Sequence, residues 1–143
     1  MSALSAGLQL YDRAMRATVS HYEIPAHDPE RAARFYRAAF GWSVEPLAWE
    51  RPYFKIRGSA VPAAPGREGI DGGLLAAGDG IEQPLLVLHI EGATLEQALA
   101  RIVAAGGSID RPAAPVGTMG WWARFRDSEG NLLGLWAASV LPS

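Results

Sequence analysis

What most constrains the fold of this chain is that one order of local signals occurs twice. RATVSHYEI (16–24), rich in β-branched and aromatic residues, predicts a strand that Pro25 is expected to end. Asp28 followed by Pro29 predicts a helix start, a capping side chain and then a ring already fixed at a helical φ. Ala32, Phe35, Tyr36, Ala39 and Phe40 recur at helical spacing as one apolar stripe, and Gly41 suits a left-handed cap. Short strands are expected at 43–48, 53–57 and 69–76. Before the last of them lies GSAVPAAPGRE (58–68), expected to be a mobile surface loop.

The plan then restarts. LLVLHI (85–90) predicts a strand, and Thr94 with Gln97 makes a capping box. Leu95, Ala98, Leu99 and Ile102 share one face of the helix it opens, and Gly106-Gly107 closes that helix. Strands follow at 108–111, 120–126 and 131–138. RAAFGWSV (37–44) and VAAGGSI (103–109) occupy equivalent places, each running from helix end through glycine into a β-branched strand. A period of about 65 residues is too long for a solenoid, and it predicts one domain of paired modules, about 16–77 and about 84–138. Residues 1–15 and 139–143 are expected to be tails, and Met15 could itself begin the chain.

Composition removes several functional classes. Thirteen basic against fifteen acidic residues give a net charge of −2, with no basic run to hold nucleic acid or an anionic membrane. Zero cysteines exclude disulfides, thiolate metal sites and cysteine nucleophiles. No apolar run reaches the ~18 residues of a membrane span, and the N-terminal segment lacks the pattern of a secretion signal, so a cytoplasmic protein is expected. Twelve of the thirteen basic residues are arginine, which reads as a bacterial coding bias. Phosphate-cradling loops and the nucleophile elbow are missing from the sequence. The run 127–131 reads as a turn and not as a calcium loop.

Three segments, HYEIPAHDPERAARFYRAAFGW (21–42), GIDGGLL (69–75) and ALARIVAAGGSIDRPAAPVGTMGWWARFRDSEGNLLGLW (98–136), resemble the vicinal oxygen chelate superfamily, also called glyoxalase/bleomycin resistance/dioxygenase. The resemblance implies an α+β fold in which paired βαβββ modules form a curved, open, mixed sheet around a pocket. It also implies a homodimer, and in many members a divalent metal held by four side chains. His21, fourteen residues before Phe35, matches the first ligand position. The second falls on Gly72 or Gly73, the third on Leu85 and the fourth on Gly134, none of which carries a donor. Only one position of four is filled, which disfavours the family's usual lyase and dioxygenase chemistry.

Two further groupings remain open. His21 and Glu23 share one face of the first strand, and His89 shares a face with Leu85 and Val87 on the fifth. Two imidazoles and a carboxylate at His21, Glu23 and His89 would suit zinc, iron, nickel or manganese. The plainer readings are a hydrogen-bonded histidine, an exposed His89, and a Glu23 that is solvated or paired with Arg124. His27 reads as a surface residue. Trp122 and Trp136 are expected to line a ligand pocket, whose aromatic walls suit a flat, apolar or cationic small molecule, although core or dimer packing would equally place them. The leading expectation is a small-molecule binder without the usual metal site, serving sequestration of a toxic or antibiotic compound. The alternatives are a metal-dependent lyase, isomerase or dioxygenase using a non-standard site, and a metal-free enzyme with Glu23 or His21 as general base.

Overall fold

A computed structural model describes residues 15–49, 51–58 and 69–138. Residues 59–68 of the expected loop at 58–68, and residues 1–14 and 139–143 of the expected tails, lie outside them. In chain order the elements are β1 (Arg16–Ala26), α1 (Pro29–Phe40), β2 (Ser43–Leu47), β3 (Tyr53–Arg57), β4 (Gly72–Ala76), β5 (Leu85–Glu91), α2 (Leu95–Ala104), β6 (Ser108–Val116), β7 (Gly120–Arg126) and β8 (Leu132–Ala138). Strand, helix and three strands therefore run twice, as the repeat predicts. The hydrogen-bonded order is β2-β3-β4-β1-β5-β8-β7-β6. β1 with β4 and β5 with β8 are parallel and the remaining assigned pairs antiparallel, which makes a mixed sheet of α+β class. Among the described residues no helix is long and apolar enough to cross a membrane.

The chain divides into two units, Ser20–Leu86 and Val87 onward together with the start of β1 through Val19. In the first, Asp28 accepts from the Arg31 backbone N–H at 3.1 Å, and Gly41 closes α1 at φ 68°, where only glycine sits without strain. Ala33, Val44, Phe54, Ile56 and Leu74 form its core, with Tyr22, Ile24, Ala32, Tyr36 and Trp42 packed against them. Burying each large side chain contributes about 1.5–3 kcal/mol. The expected helix stripe needs correction: Phe35 and Phe40 are 56% and 58% exposed, and Ala33 is the fully buried position of α1. The two phenylalanines instead join Tyr36 and Trp42 in a chain of ring contacts along the helix flank.

In the second unit both halves of the capping box form: Thr94 Oγ1 accepts from the Gln97 N–H, and Gln97 Oε1 accepts from the Thr94 N–H. α2 buries Leu95, Ala98 and Leu99 against Ile90, Ala123, Phe125 and Leu135. Met15 packs against this cluster, so it belongs to the fold and not to the tail. Between β7 and β8, the Asp127 carboxylate accepts from the backbone of Glu129 and Asn131 and from the Asn131 amide, and Gly130 takes φ 83°. That network holds the Asp127 carboxyl below the usual carboxylate range, the Asn131 side chain being the largest cause.

Prolines mislead at two strand ends. β1 continues through Pro25, which pairs with Leu75, because proline fits extended backbone and loses only its donor. β6 runs on past Arg111 through Pro112 and Pro115, since it is the last strand of the order, where missing donors are tolerated and the ladder absorbs register shifts.

Candidate functional site

Alternation along the strands sets the site. On β1, Tyr22 and Ile24 pack against the first core, so His21 and Glu23 take the opposite face of the sheet. On β3, Phe54 and Ile56 enter the same core, which leaves Tyr53 and Lys55 on that opposite face. In register, Gly73 of β4 lies between Glu23 and Lys55. The Tyr53 side chain crosses over this glycine and donates its hydroxyl to the Glu23 carboxylate, at 3.0 Å from Oε2 and 3.2 Å from Oε1. A side chain at 73 would collide with both the Tyr53 hydroxyl and Glu23 Oε2, so glycine is required by the close approach.

Glu23 is 8% exposed. Its second partner is His21, whose Nε2 lies 3.3 Å from Glu23 Oε1, while His21 Nδ1 lies 3.0 Å from Ser20 Oγ. The imidazole thus stands between the Ser20 hydroxyl and the Glu23 carboxylate, one ring nitrogen towards each. Burial pushes the Tyr53 phenol well above its ordinary range, and the charge of Glu23 and the bond to it push the same way. Tyr53 therefore stays a neutral donor. Its ring packs against Trp49, centroids 4.4 Å apart.

The second unit carries the same register with different chemistry. Gly134 of β8 lies between Val87 and Arg124, as Gly73 lies between Glu23 and Lys55. Trp122 takes the place of Tyr53, two residues before the basic residue, and its ring stands where a side chain at 134 would go. Trp136, its cross-strand partner, stands likewise over Gly120. Val87 is the counterpart of Glu23, and Leu85 the counterpart of His21; both are buried. Arg124, 4% exposed, donates to Asp110 Oδ2 from Nε at 2.8 Å, with Nη2 at 2.7 Å from the same oxygen.

Placed against these positions, the expected residues divide. His21 and Glu23 meet directly. His89 Nδ1 lies 3.3 Å from Glu91 Oε1, and His89 pairs with Trp136 across β5 and β8. Glu23 is neither solvated nor paired with Arg124, whose charge is matched by Asp110. His27 is exposed, 3.9 Å from Glu82. Tyr53 escapes sequence reasoning, because its link to Glu23 depends on the register of β1, β4 and β3 together. The available signal was GlyGly at 72–73, which marks a strand face that something else must cover.

The metal implied by the resemblance does not fit these residues. Tyr53 and Glu23 fill the space beside Gly73, Trp122 fills that beside Gly134, and Leu85 offers no donor. Among the described residues no three His, Asp or Glu side chains gather as a metal-ligand group.

No curated protein matches the chain in sequence. Among solved structures, methylmalonyl-CoA epimerase from Mycobacterium tuberculosis is similar at 16% identity and TM-score 0.57, covering 85% of this chain and 87% of that one. A glyoxalase/bleomycin resistance protein/dioxygenase superfamily member from Vibrio splendidus 12B01 is similar at 12% identity and TM-score 0.54, covering 86% of this chain and 98% of that one. The NAD-dependent benzaldehyde dehydrogenase structure from Legionella pneumophila gives 13% identity and TM-score 0.55, with 83% and 98% covered. At such identities the likeness establishes the fold and nothing finer. The glyoxalase-like domain family matches residues 21–135, most of the chain, and the resemblance read from the sequence holds: the chain belongs to the glyoxalase-like domain family, within the vicinal oxygen chelate superfamily.

Proposed function

We propose that this chain binds a small aromatic or apolar molecule without a metal ion, as a glyoxalase/bleomycin-resistance-like binding protein. One observation carries the reading: the sheet face at Gly73, one of the two glycines on which the resemblance puts a metal-ligand position, is taken up by a phenol and a buried carboxylate bonded to each other. Aromatic side chains supply recognition surface in each unit, Tyr53 with Trp49 in the first and Trp122 with Trp136 in the second. Sequestration of a toxic or antibiotic compound is the biological role this chemistry suits. A metal-dependent lyase, isomerase or dioxygenase at His21, Glu23 and His89 has less support, because His89 turns to Glu91 and Glu23 holds His21.

Tryptophan fluorescence titrated with aromatic metabolites and antibiotics, in excess EDTA, tests the proposal. The expected result is a saturable change for at least one compound, unaltered by the chelator and weakened about tenfold in Trp136→Ala, the scale of one lost aromatic anchor. Flat titrations throughout, or binding that EDTA abolishes, would overturn it.

A further inference from the structure

The chain holds two Asp-Gly pairs, Asp71-Gly72 and Asp79-Gly80, and the fold treats them in opposite ways. Such a pair is chemically vulnerable, because an amide nitrogen with no side chain beside it can attack the aspartyl carboxyl carbon once the two atoms approach. In the first pair that approach is blocked. Gly72 is buried in β4, in register between Tyr22 of β1 and Ile56 of β3, and the Tyr22 ring stands where a side chain at 72 would go. Asp71 Oδ1 accepts from the Gly58 N–H at 2.9 Å, and Oδ2 lies 4.0 Å from Lys55 Nζ. Ring closure there requires β4 to open locally from its neighbours.

The second pair lies in a turn outside every strand. Gly78 and Ile81 exchange backbone hydrogen bonds, the Ile81 N–H donating to Gly78 O at 3.0 Å and the Gly78 N–H to Ile81 O at 3.3 Å. Asp79 at φ 54° and Gly80 at φ 83° are the central residues between them, the two positive dihedrals of a type I′ turn. Among the described residues Asp79 is the one non-glycine at positive φ. Both central residues are exposed, and the peptide joining them belongs to no strand ladder.

We propose that Asp79 is a site of spontaneous covalent modification, where the folded chain forms a succinimide and then isoaspartate, while the sheet guards Asp71. The Gly80 nitrogen bonds to the Asp79 carboxyl carbon, and the carboxyl hydroxyl leaves with the amide proton as water. Water then opens the ring at either carbonyl. Breaking the bond just formed restores aspartate. Breaking the original peptide bond leaves isoaspartate, whose backbone runs through the former side chain and is one carbon longer. Water is the one co-reactant, released in the first step and taken up in the second. The longer backbone no longer fits a two-residue turn, so the buried Ile81 loses its pairing with Gly78. The site stands apart from the residues of the small-molecule reading.

Prolonged incubation of the folded protein in mildly acidic buffer made with heavy-oxygen water, followed by peptide mapping, provides the test. Each ring opening incorporates one heavy oxygen atom, and isoaspartyl peptides separate from their aspartyl parents by chromatography. In the folded protein, label and isoaspartate are expected at Asp79 at least about tenfold faster than at Asp71. In urea, where the sheet no longer guards Asp71, the two rates should come within about threefold of each other. Asp79→Glu, which would have to close a larger and slower-forming ring, should lose the signal at 79 and leave the rate at Asp71 unchanged. Label at Asp71 as fast as at Asp79 in the folded protein, no label at Asp79, or the same tenfold bias persisting in urea would overturn the proposal.

Discussion

Glu23, Tyr53 and Gly73 are each accounted for by the other two. The glycine leaves a gap in the face of β4, the phenol crosses that gap, and the buried carboxylate accepts the proton it brings. His21 and Glu23 were legible from the i, i+2 alternation of a single strand. Their partner was not, because Tyr53 is thirty residues away from Glu23 and meets it only once three strands pair in one register. This arrangement gives a pH-dependence. The folded state holds the Tyr53 proton more tightly than the unfolded chain, whose phenol titrates near 10.0. The stabilisation is complete below that value and is lost as pH climbs towards the folded one. Tyr22 is raised in the same direction, by burial first and then by Asp71 and Tyr36, and contributes to the same limb. Urea unfolding midpoints at neutral pH and at about pH 11 should show a loss in wild type that is smaller in Tyr53→Phe. Equal losses would mean that the Tyr53 proton is not held this way.

At the scale of elements, the two modules use one register to opposite ends. β3 brings Tyr53 and Lys55 to the face opposite its core; β7 brings Trp122 and Arg124 to the matching positions. The core faces, Phe54, Ile56 and Leu74 against Ala123, Phe125 and Leu135, repeat with apolar residues throughout, which is why periodicity located the strands so well. Where it failed, a second rule prevailed. Pro25 read as a break and the sixth strand was expected to stop at 111, but extended backbone accepts proline, and β6 ends the strand order, where a missing donor costs little. Phe35 and Phe40 read as core because helical spacing is blind to which side of the stripe a sheet will cover. The link between β6 and β7 is electrostatic as well as apolar. Removing the buried guanidinium in Arg124→Ala leaves Asp110 without its close partner and should cost about 2–3 kcal/mol by chemical denaturation. A loss under about 0.5 kcal/mol, the size of an ordinary surface substitution, would show that the pair adds nothing to stability.

At the scale of the whole molecule, the internal repeat was the most legible feature, since duplicated order and duplicated caps survive in the sequence whatever the site does. The fold and the family followed from it. The chemistry did not, because each module spends the same structural position differently: Glu23 in one is Val87 in the other, and the glycines at 73 and 134 are covered by a phenol and an indole. The missing donors at the ligand positions are legible in the sequence, whereas the phenol and indole that stand there depend on strand register. Metal-free binding, as proposed above, sets what the purified protein should contain. Elemental analysis of the untagged protein, purified without chelator, tests it most directly. Well under one zinc, iron, nickel or manganese ion per chain is expected, with no change in content between wild type and His21→Ala. One equivalent of metal in wild type, lost on His21→Ala, would contradict it.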